Sequence, residues 1–402
     1  MLAVGVAAGA ATLLLRPRGP VPEPAAVDQR GYFSATEIRR AEEFRGPQRV
    51  LGLGGLGLSA AVLALVALRP PASVREALHR AGARPVLGAA AAGASLSLVL
   101  TAVGLPLDAV AHERARDVGL STQTWLPWLG DVAKATGIGA VMAGGGAGLA
   151  VAGVRRVPHA WWVPGSAVVV AVSAAFVFLG PVVLDPVFNR FTPLPAGPLR
   201  SEVLGLADEA GVEVGQVYSS DASRRTTAAN AYVGGLGATK RVVIYDNLLE
   251  GFPPDQVRSV VAHELAHQAN RDLQRGLLWL ALVTPAAAYL LQRLTERFES
   301  GGGPASGTPA MVPALALAVA LVSFGVGNAG NVLSREVEAR ADAFALELTG
   351  EVDAFIGLER SLVRQNVADP VPPAVLHALF GTHPTPMERI GMGVTFGRAR
   401  DA

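Results

Sequence analysis

The chain contains no cysteine, which excludes disulfides, thiolate metal sites and cysteine nucleophiles and leaves histidine and the carboxylates as the side chains able to hold a metal. Histidine is itself scarce, seven in 402 residues, so a regular histidine spacing carries weight. Charge is sparse too. Only 17% of residues are Asp, Glu, Lys or Arg, the net charge is +1, and no basic block is interleaved with aromatics, which argues against a nucleic-acid partner. Lysine is nearly absent beside abundant Ala, Gly, Val, Leu and Arg, a usage that suggests a GC-rich bacterial genome. What fills the chain is apolar: 50% hydrophobic residues and a mean hydropathy of +0.37 belong to a membrane protein.

Seven apolar stretches follow one another. Met1 to Leu15 comes first, trailed by Arg16 and Arg18; no positive charge precedes it, so it reads as a span rather than a signal peptide. Residues 19–49 read as a polar loop on the membrane surface, with a helical start at Ser34-Ala-Thr-Glu-Ile38 on a capping-box pattern. Stretches at 50–68, 86–107, 132–154 and 160–184 are each long enough for the roughly 20 residues that cross a hydrocarbon core. Gly144-Gly-Gly146 suits close helix packing, and Arg155-Arg156 with Trp161-Trp162 suits a membrane edge. His112, in the polar 107–131 loop, reads as a surface residue. Residues 1–184 thus form an N-terminal membrane region of about five helices.

Residues 185–402 differ in texture. Hydrophobic density drops over 185–275; prolines at 193, 195 and 198 make an extended lead-in, Leu199 to Ala210 a short helix, and Val214–Tyr218, Asn230–Val233 and Arg241–Tyr245 the strands of a small sheet. Spans at 276–291 and 313–332 follow, then a mixed soluble part from 333 to 402 with a short helix around Glu351 to Val363. The fold class is mainly α, a multi-span membrane protein with a small α+β soluble portion.

The chemistry concentrates in Val260-Val-Ala-His-Glu-Leu-Ala-His-Gln-Ala-Asn270. On a helix, which Pro253-Pro254-Asp255 is suited to open, His263 and His267 stack one turn apart with Glu264 beside them. Two imidazoles and one further ligand hold zinc with a position open for water, and Glu264 stands where it can take that water's proton. Two crossings between His267 and residue 334 return the chain to the same side of the membrane. The returning stretch, Ser334-Arg-Glu-Val-Glu-Ala-Arg-Ala-Asp342, carries Glu338 and Asp342 on one helical face: one carboxylate for the metal, one to orient a ligand histidine. His383, before Pro384, reads in isolation as a surface turn residue.

Taken together these stretches resemble the type I CAAX prenyl endopeptidases, membrane zinc proteases. The resemblance runs through Asp185-Pro-Val-Phe-Asn-Arg-Phe-Thr-Pro-Leu-Pro195, Ser223-Arg-Arg225, Asn230-Ala-Tyr232, Lys240 to Leu249, His263-Glu-Leu-Ala-His267, Ser334-Arg335 with Glu338, Ala341 and Asp342, and His383-Pro384 with Glu388-Arg389. It implies seven membrane helices around a large chamber that the zinc site faces. It implies Glu338 as third zinc ligand, Asp342 as the partner of a ligand histidine and His383 as stabiliser of the tetrahedral intermediate. Asn230, with Ala231 and Tyr232, is the implied substrate contact, and Arg335 and Arg389 are supporting residues. One position departs: eukaryotic members usually carry a histidine two residues before Asn-Ala-Tyr, where this chain has Ala228, and their long loops are shorter here.

The expected function is that of an integral-membrane endopeptidase with one zinc ion and Glu264 as general base. Its expected substrate in a bacterial plasma membrane is a membrane-associated or misfolded polypeptide, with the active site towards the cytoplasm. A transporter or scaffold with a structural metal is the alternative. Such proteins place ionisable residues within interrupted helices, whereas here the motif lies beside the spans.

Overall fold

The computed structural model describes residues 2–234 and 240–401. Seven apolar helices carry the membrane-facing surface: α1 (Leu2–Leu15), α2 (Ala35–Leu68), α4 (Pro85–Asp117), α5 (Trp125–Arg156), α6 (Trp162–Leu179), α11 (Asp272–Ser300) and α12 (Val312–Thr349), with a short α3 (Ala72–Ala81) between α2 and α4. Six are long and apolar enough to cross a membrane; α1, at 14 residues, is shorter. Leu53, Leu56, Val141, Leu149, Val169 and Phe176 point outward and exposed, as side chains that meet lipid do.

The second half of the expected 19–49 loop and the expected span over 50–68 form a single continuous helix. Ser34 Oγ accepts the Glu37 N–H at 3.2 Å while the Glu37 carboxylate accepts the Ser34 N–H at 2.7 Å, and α2 then runs unbroken through Pro47. The preceding strap lies on the catalytic end of the molecule, where Arg16 pairs with Glu336 at 2.9 Å and Ala25 N–H donates to Gly391 O at 3.1 Å. Between α4 and α5, small residues allow backbone approach. A Cβ on Gly93 would lie 2.5 Å from Ala143 O, and one on Gly144 would lie 2.9 Å from Ala90 O. Gly145 and Gly146 have nothing within 4 Å, so of the three glycines only Gly144 serves the contact.

His112 is not a surface residue. It is buried, stacked on Trp128 (centroids 4.7 Å apart) and edge-on to Trp125 (5.2 Å), because the α4–α5 turn folds back over it. The same turn is tied to the protease portion: Thr122 N–H donates to Arg225 O and Thr227 N–H to Leu120 O, each at 3.0 Å.

Helix α6 ends in a π-turn, Gly180–Leu184, that leads into α7 (Asp185–Phe188). The proline-rich lead-in is itself a strand, β1 (Phe191–Pro193), followed by α8 (Pro198–Glu209), β2 (Gln216–Ser220), β3 (Ala231–Gly234) and β4 (Arg241–Tyr245). The sheet order is β1-β2-β4-β3, with β2 and β4 parallel and the outer pairs antiparallel, so β3 is an edge strand. After α9 (Asp246–Gly251), α10 (Pro254–Ala269) packs across this sheet through Val257, Val261 and Leu265, which join Leu206, Val217, Val242, Ile244 and Leu358 in one buried core. α13 (Val352–Gln365), α14 (Ala374–Phe380) and α15 (Pro386–Asp401) close the C-terminal side. The motif helix does not continue into the next span. It stops at Asn270, and Arg271 takes a left-handed conformation (φ 55°) before α11 starts at Asp272.

Candidate metal centre

His263 and His267 leave α10 one turn apart, their rings edge to face with centroids 5.0 Å apart. α12, returning through the membrane region, brings Glu338 against both: Glu338 Oε2 is 3.1 Å from His263 Nε2 and 3.7 Å from His267 Nε2. One ligand atom from each of the three lies within 4.8 Å of the other two. The far side of each ring is also held. Asp342 Oδ1 meets His263 Nδ1 at 2.8 Å, and Asp272 Oδ2 meets His267 Nδ1 at 3.0 Å. An ionised carboxylate only accepts, so each Nδ1 donates to its aspartate, and each Nε2 is the ring nitrogen that faces the site. Two imidazole nitrogens and a carboxylate, with no thiolate, form the donor set of a three-ligand zinc site with an open position. The residues present therefore fit such an ion.

Asp342 is anchored in turn. It is fully buried, and Arg389 from α15 grips both its oxygens, Nε to Oδ2 at 2.7 Å and Nη2 to Oδ1 at 2.5 Å. The other face of that guanidinium meets the buried Glu359 of α13 at 2.8 Å. A buried cation shared between two carboxylates satisfies what each alone would leave uncompensated. Glu264 lies half-buried beside the trio without a hydrogen-bond partner among the described residues; burial pushes its carboxyl up, against the pull of His263 and His267.

The other expected residues fall in different places. His383, exposed as its turn context suggested, nonetheless aims Nε2 at Glu338 Oε2 from 3.3 Å, while Thr382 Oγ1 sits 2.9 Å from its Nδ1. Arg335 touches none of the metal trio; it donates to Gly381 O at 2.7 Å and so holds the turn that presents His383. Asn230 is exposed at the start of β3, and Ala231 is buried beneath it. Tyr232 points away to α7, its hydroxyl donating to Asp185 Oδ2 at 2.7 Å; burial and that carboxylate push the phenol pKa up.

Two residues went unread in the sequence. Asp272 lies five positions after His267, a separation that no continuous helix brings into contact, and only the left-handed break at Arg271 turns it under the ring. Asp272 opens α11, and an acid in a first helical turn was the signal available. Glu359 sits within an ordinary amphipathic helix and carries no local signal.

A polytopic membrane scaffold with a His-His-Glu centre assembled from α10 and α12 defines a membrane metallohydrolase as the class. The comparisons narrow it. Residues 193–392 match the family described as Peptidase family M48, and residues 59–190 match the CAAX prenyl protease N-terminal region of five membrane helices. The sequence is 32% identical over 300 residues to the uncharacterized metalloprotease YhfN of Bacillus subtilis, covering 73% of this chain and 70% of that one. It is 30% identical over 231 residues to CAAX prenyl protease 1 homolog of Arabidopsis thaliana (54% of this chain, 52% of the other) and 30% over 193 residues to CAAX prenyl protease 1 of Saccharomyces cerevisiae (47% and 42%). The chain thus spans about half or less of these CAAX prenyl proteases. The crystal structure of S. mikatae Ste24p shares the fold, with a TM-score of 0.78 at 19% identity over 97% of this chain and 96% of that one. The chain belongs to peptidase family M48 and is an integral-membrane metalloprotease with multiple spans. Family membership sets aside the transporter or scaffold reading.

Proposed function

We propose that the chain is a zinc-dependent endopeptidase that cleaves membrane-associated or misfolded polypeptides at the surface of a bacterial plasma membrane. The observation that carries this is the convergence of two Nε2 atoms and Glu338, with the half-buried Glu264 beside them and without a hydrogen-bond partner among the described residues. When bound there, zinc would polarise the peptide carbonyl and make water acidic enough to deprotonate near neutral pH. His263, His267 and Glu338 would hold it, with Asp342 and Asp272 fixing the two rings. Glu264 would take the proton of the attacking water and return it to the departing amine; its burial, which raises its pKa, suits both transfers. His383, with Thr382 against Nδ1, would turn an Nε2–H donor towards the developing oxyanion. Asn230 and the free edge of β3 would hold the substrate main chain in extended form.

Purified protein should contain about one zinc per chain, by the donor count of such sites. It should cleave a denatured membrane protein, and a chelator should abolish both zinc and cleavage. Cleavage that survives complete zinc removal would overturn the reading. Prenylated substrates are the second reading, favoured by the match of residues 59–190; faster cleavage of a farnesylated peptide than of its unmodified twin would establish it.

In this reading the active site faces the cytoplasm, an orientation supported by the strap carrying Arg16, Arg18 and Arg30, which packs on the catalytic end. The opposite end carries Arg69, Arg75, Arg80, Arg84, Arg155 and Arg156, so labelling rather than charge decides. In this cysteine-free chain, a cysteine placed at exposed Glu250 should resist impermeant reagents in intact cells. Labelling from outside would reverse the orientation.

A further inference from the structure

The two ends of the helical bundle treat their arginines differently. At the catalytic end many are held by acids: Arg49 pairs with Asp369 at 2.5 Å, Arg225 with Asp131 at 2.8 Å and Arg340 with Glu347 at 2.9 Å. At the opposite end Arg69, Arg75, Arg80, Arg84, Arg155 and Arg156 are all exposed, and among the described residues none of these side chains has an acid or a carbonyl oxygen as partner. The acids there are few. Glu296 is taken by Arg293 at 2.7 Å, which leaves Glu76 and Glu299 against the six arginines and Arg297.

The fold gathers these charges on one surface. α2 ends just before Arg69, α4 starts just after Arg84 and α5 ends at Arg156, so chain direction brings all three to the same end. On α3 between them, Val74, Leu78 and Ala81 recur at helical spacing and are half-buried, while Arg75 and Arg80 stand exposed. The α11–α12 link packs beneath. A Cβ on Gly88 would lie 2.9 Å from Pro309 Cγ, and one on Gly307, at φ 77°, would lie 3.1 Å from Arg155 Cγ, so the stem of Arg155 is seated on the link. Exposed apolar side chains border the arginines directly: Leu65 and Leu68 precede Arg69, Val86 and Leu87 follow Arg84, and Val157 follows Arg156. Trp162, edge-on to Tyr289 at 5.8 Å, lies at the same end, as aromatic side chains at a membrane interface do. The charge therefore stands at the rim of the lipid-facing band, at the depth of the headgroups.

An occupant suited to this rim has an anionic head and an apolar tail. We propose that the end of the molecule opposite the metal centre binds anionic phospholipids of the surrounding bilayer, their phosphates among the six arginines and their acyl chains along α2, α4 and α5. A guanidinium presents its N–H donors in a fork that fits phosphate oxygens, and an arginine without an acidic partner has that fork free. Neither the proteolytic reading nor the orientation of the active site enters this assignment.

The test measures binding of tail-labelled phosphatidylglycerol and of phosphatidylcholine with the same chains to the purified, zinc-loaded protein in nonionic detergent. Phosphatidylglycerol should bind at least about tenfold tighter, each arginine near an anionic headgroup being worth roughly fivefold, and added salt should narrow the gap. Arg75→Gln/Arg80→Gln/Arg84→Gln and Arg155→Gln/Arg156→Gln should each remove most of the preference while phosphatidylcholine binding, zinc content and peptide cleavage stay as they are. Arg18→Gln/Arg30→Gln/Arg39→Gln, which removes as much charge from the catalytic end, should leave the preference intact. Equal affinity for the two lipids, a preference that neither α3 nor α5 variant lowers, or an equal loss in the catalytic-end variant overturns the proposal. So does displacement of the labelled lipid by inorganic phosphate as readily as by unlabelled phosphatidylglycerol, which would make this a site for free anions and not for lipid.

Discussion

The membrane half and the metal half of this chain are held together by opposite means. Between α4 and α5 the contact depends on what side chains lack: Gly93 and Gly144 let backbone approach backbone, and the opposing groups are Ala143 and Ala90. Around the metal trio it depends on what they carry. Five charged or imidazole groups, Glu359, Arg389, Asp342, His263 and Glu338, touch in sequence from four different helices, and each is buried or nearly so. Lipid offers no strong hydrophobic drive for helix pairing, so the first region relies on close contact, which many small residues provide equally well. A buried ionic chain tolerates few replacements, because removing one member leaves the next uncompensated.

That contrast can be broken by substitution. The largest effect is expected for Glu338→Ala, which leaves two protein donors where catalytic zinc sites have three; zinc and hydrolysis should both vanish. Next comes Glu264→Gln, where zinc stays and hydrolysis falls by at least about 10²-fold, the general-base share. Asp342→Asn and Asp272→Asn should each lower metal affinity or activity by roughly 10- to 100-fold, measured by zinc titration against a competing chelator. Equal effects at the two positions would show that the two rings are held alike; a silent Asp272→Asn would break that symmetry. In the membrane half, Gly144→Leu should cost about 1–3 kcal/mol of stability by overpacking against Ala90, read as a lower melting temperature in detergent with zinc content intact below it. Gly145→Leu, with open space around it, should change little.

The same difference decides what could be read from residues alone. His263 and His267 were legible because a spacing of four has one meaning on a helix, and Glu338 with Asp342 because two crossings return the chain to the same side. Asp272 was hidden by a single left-handed residue, Arg271, which a helical projection does not contain. His112 read as exposed from its polar neighbours, yet two tryptophans 13 and 16 positions later close over it once the α4–α5 turn folds back. Apolar runs showed where the spans lie, but not that α2 begins fifteen residues before its apolar stretch or that only one of three consecutive glycines makes a contact. In the membrane half, composition is generous and register is decided by neighbours far away in sequence.

The central claim is that Glu338 holds the metal while Glu264 moves the proton, and one paired measurement tests it most directly: zinc per chain and peptide hydrolysis for Glu264→Gln beside Glu338→Ala. The account predicts a zinc-loaded, inactive Glu264→Gln protein and a zinc-free, inactive Glu338→Ala protein. Full zinc occupancy in Glu338→Ala together with its loss in Glu264→Gln would contradict it and move the search for the third ligand to His383, whose Nε2 already lies 3.3 Å from Glu338.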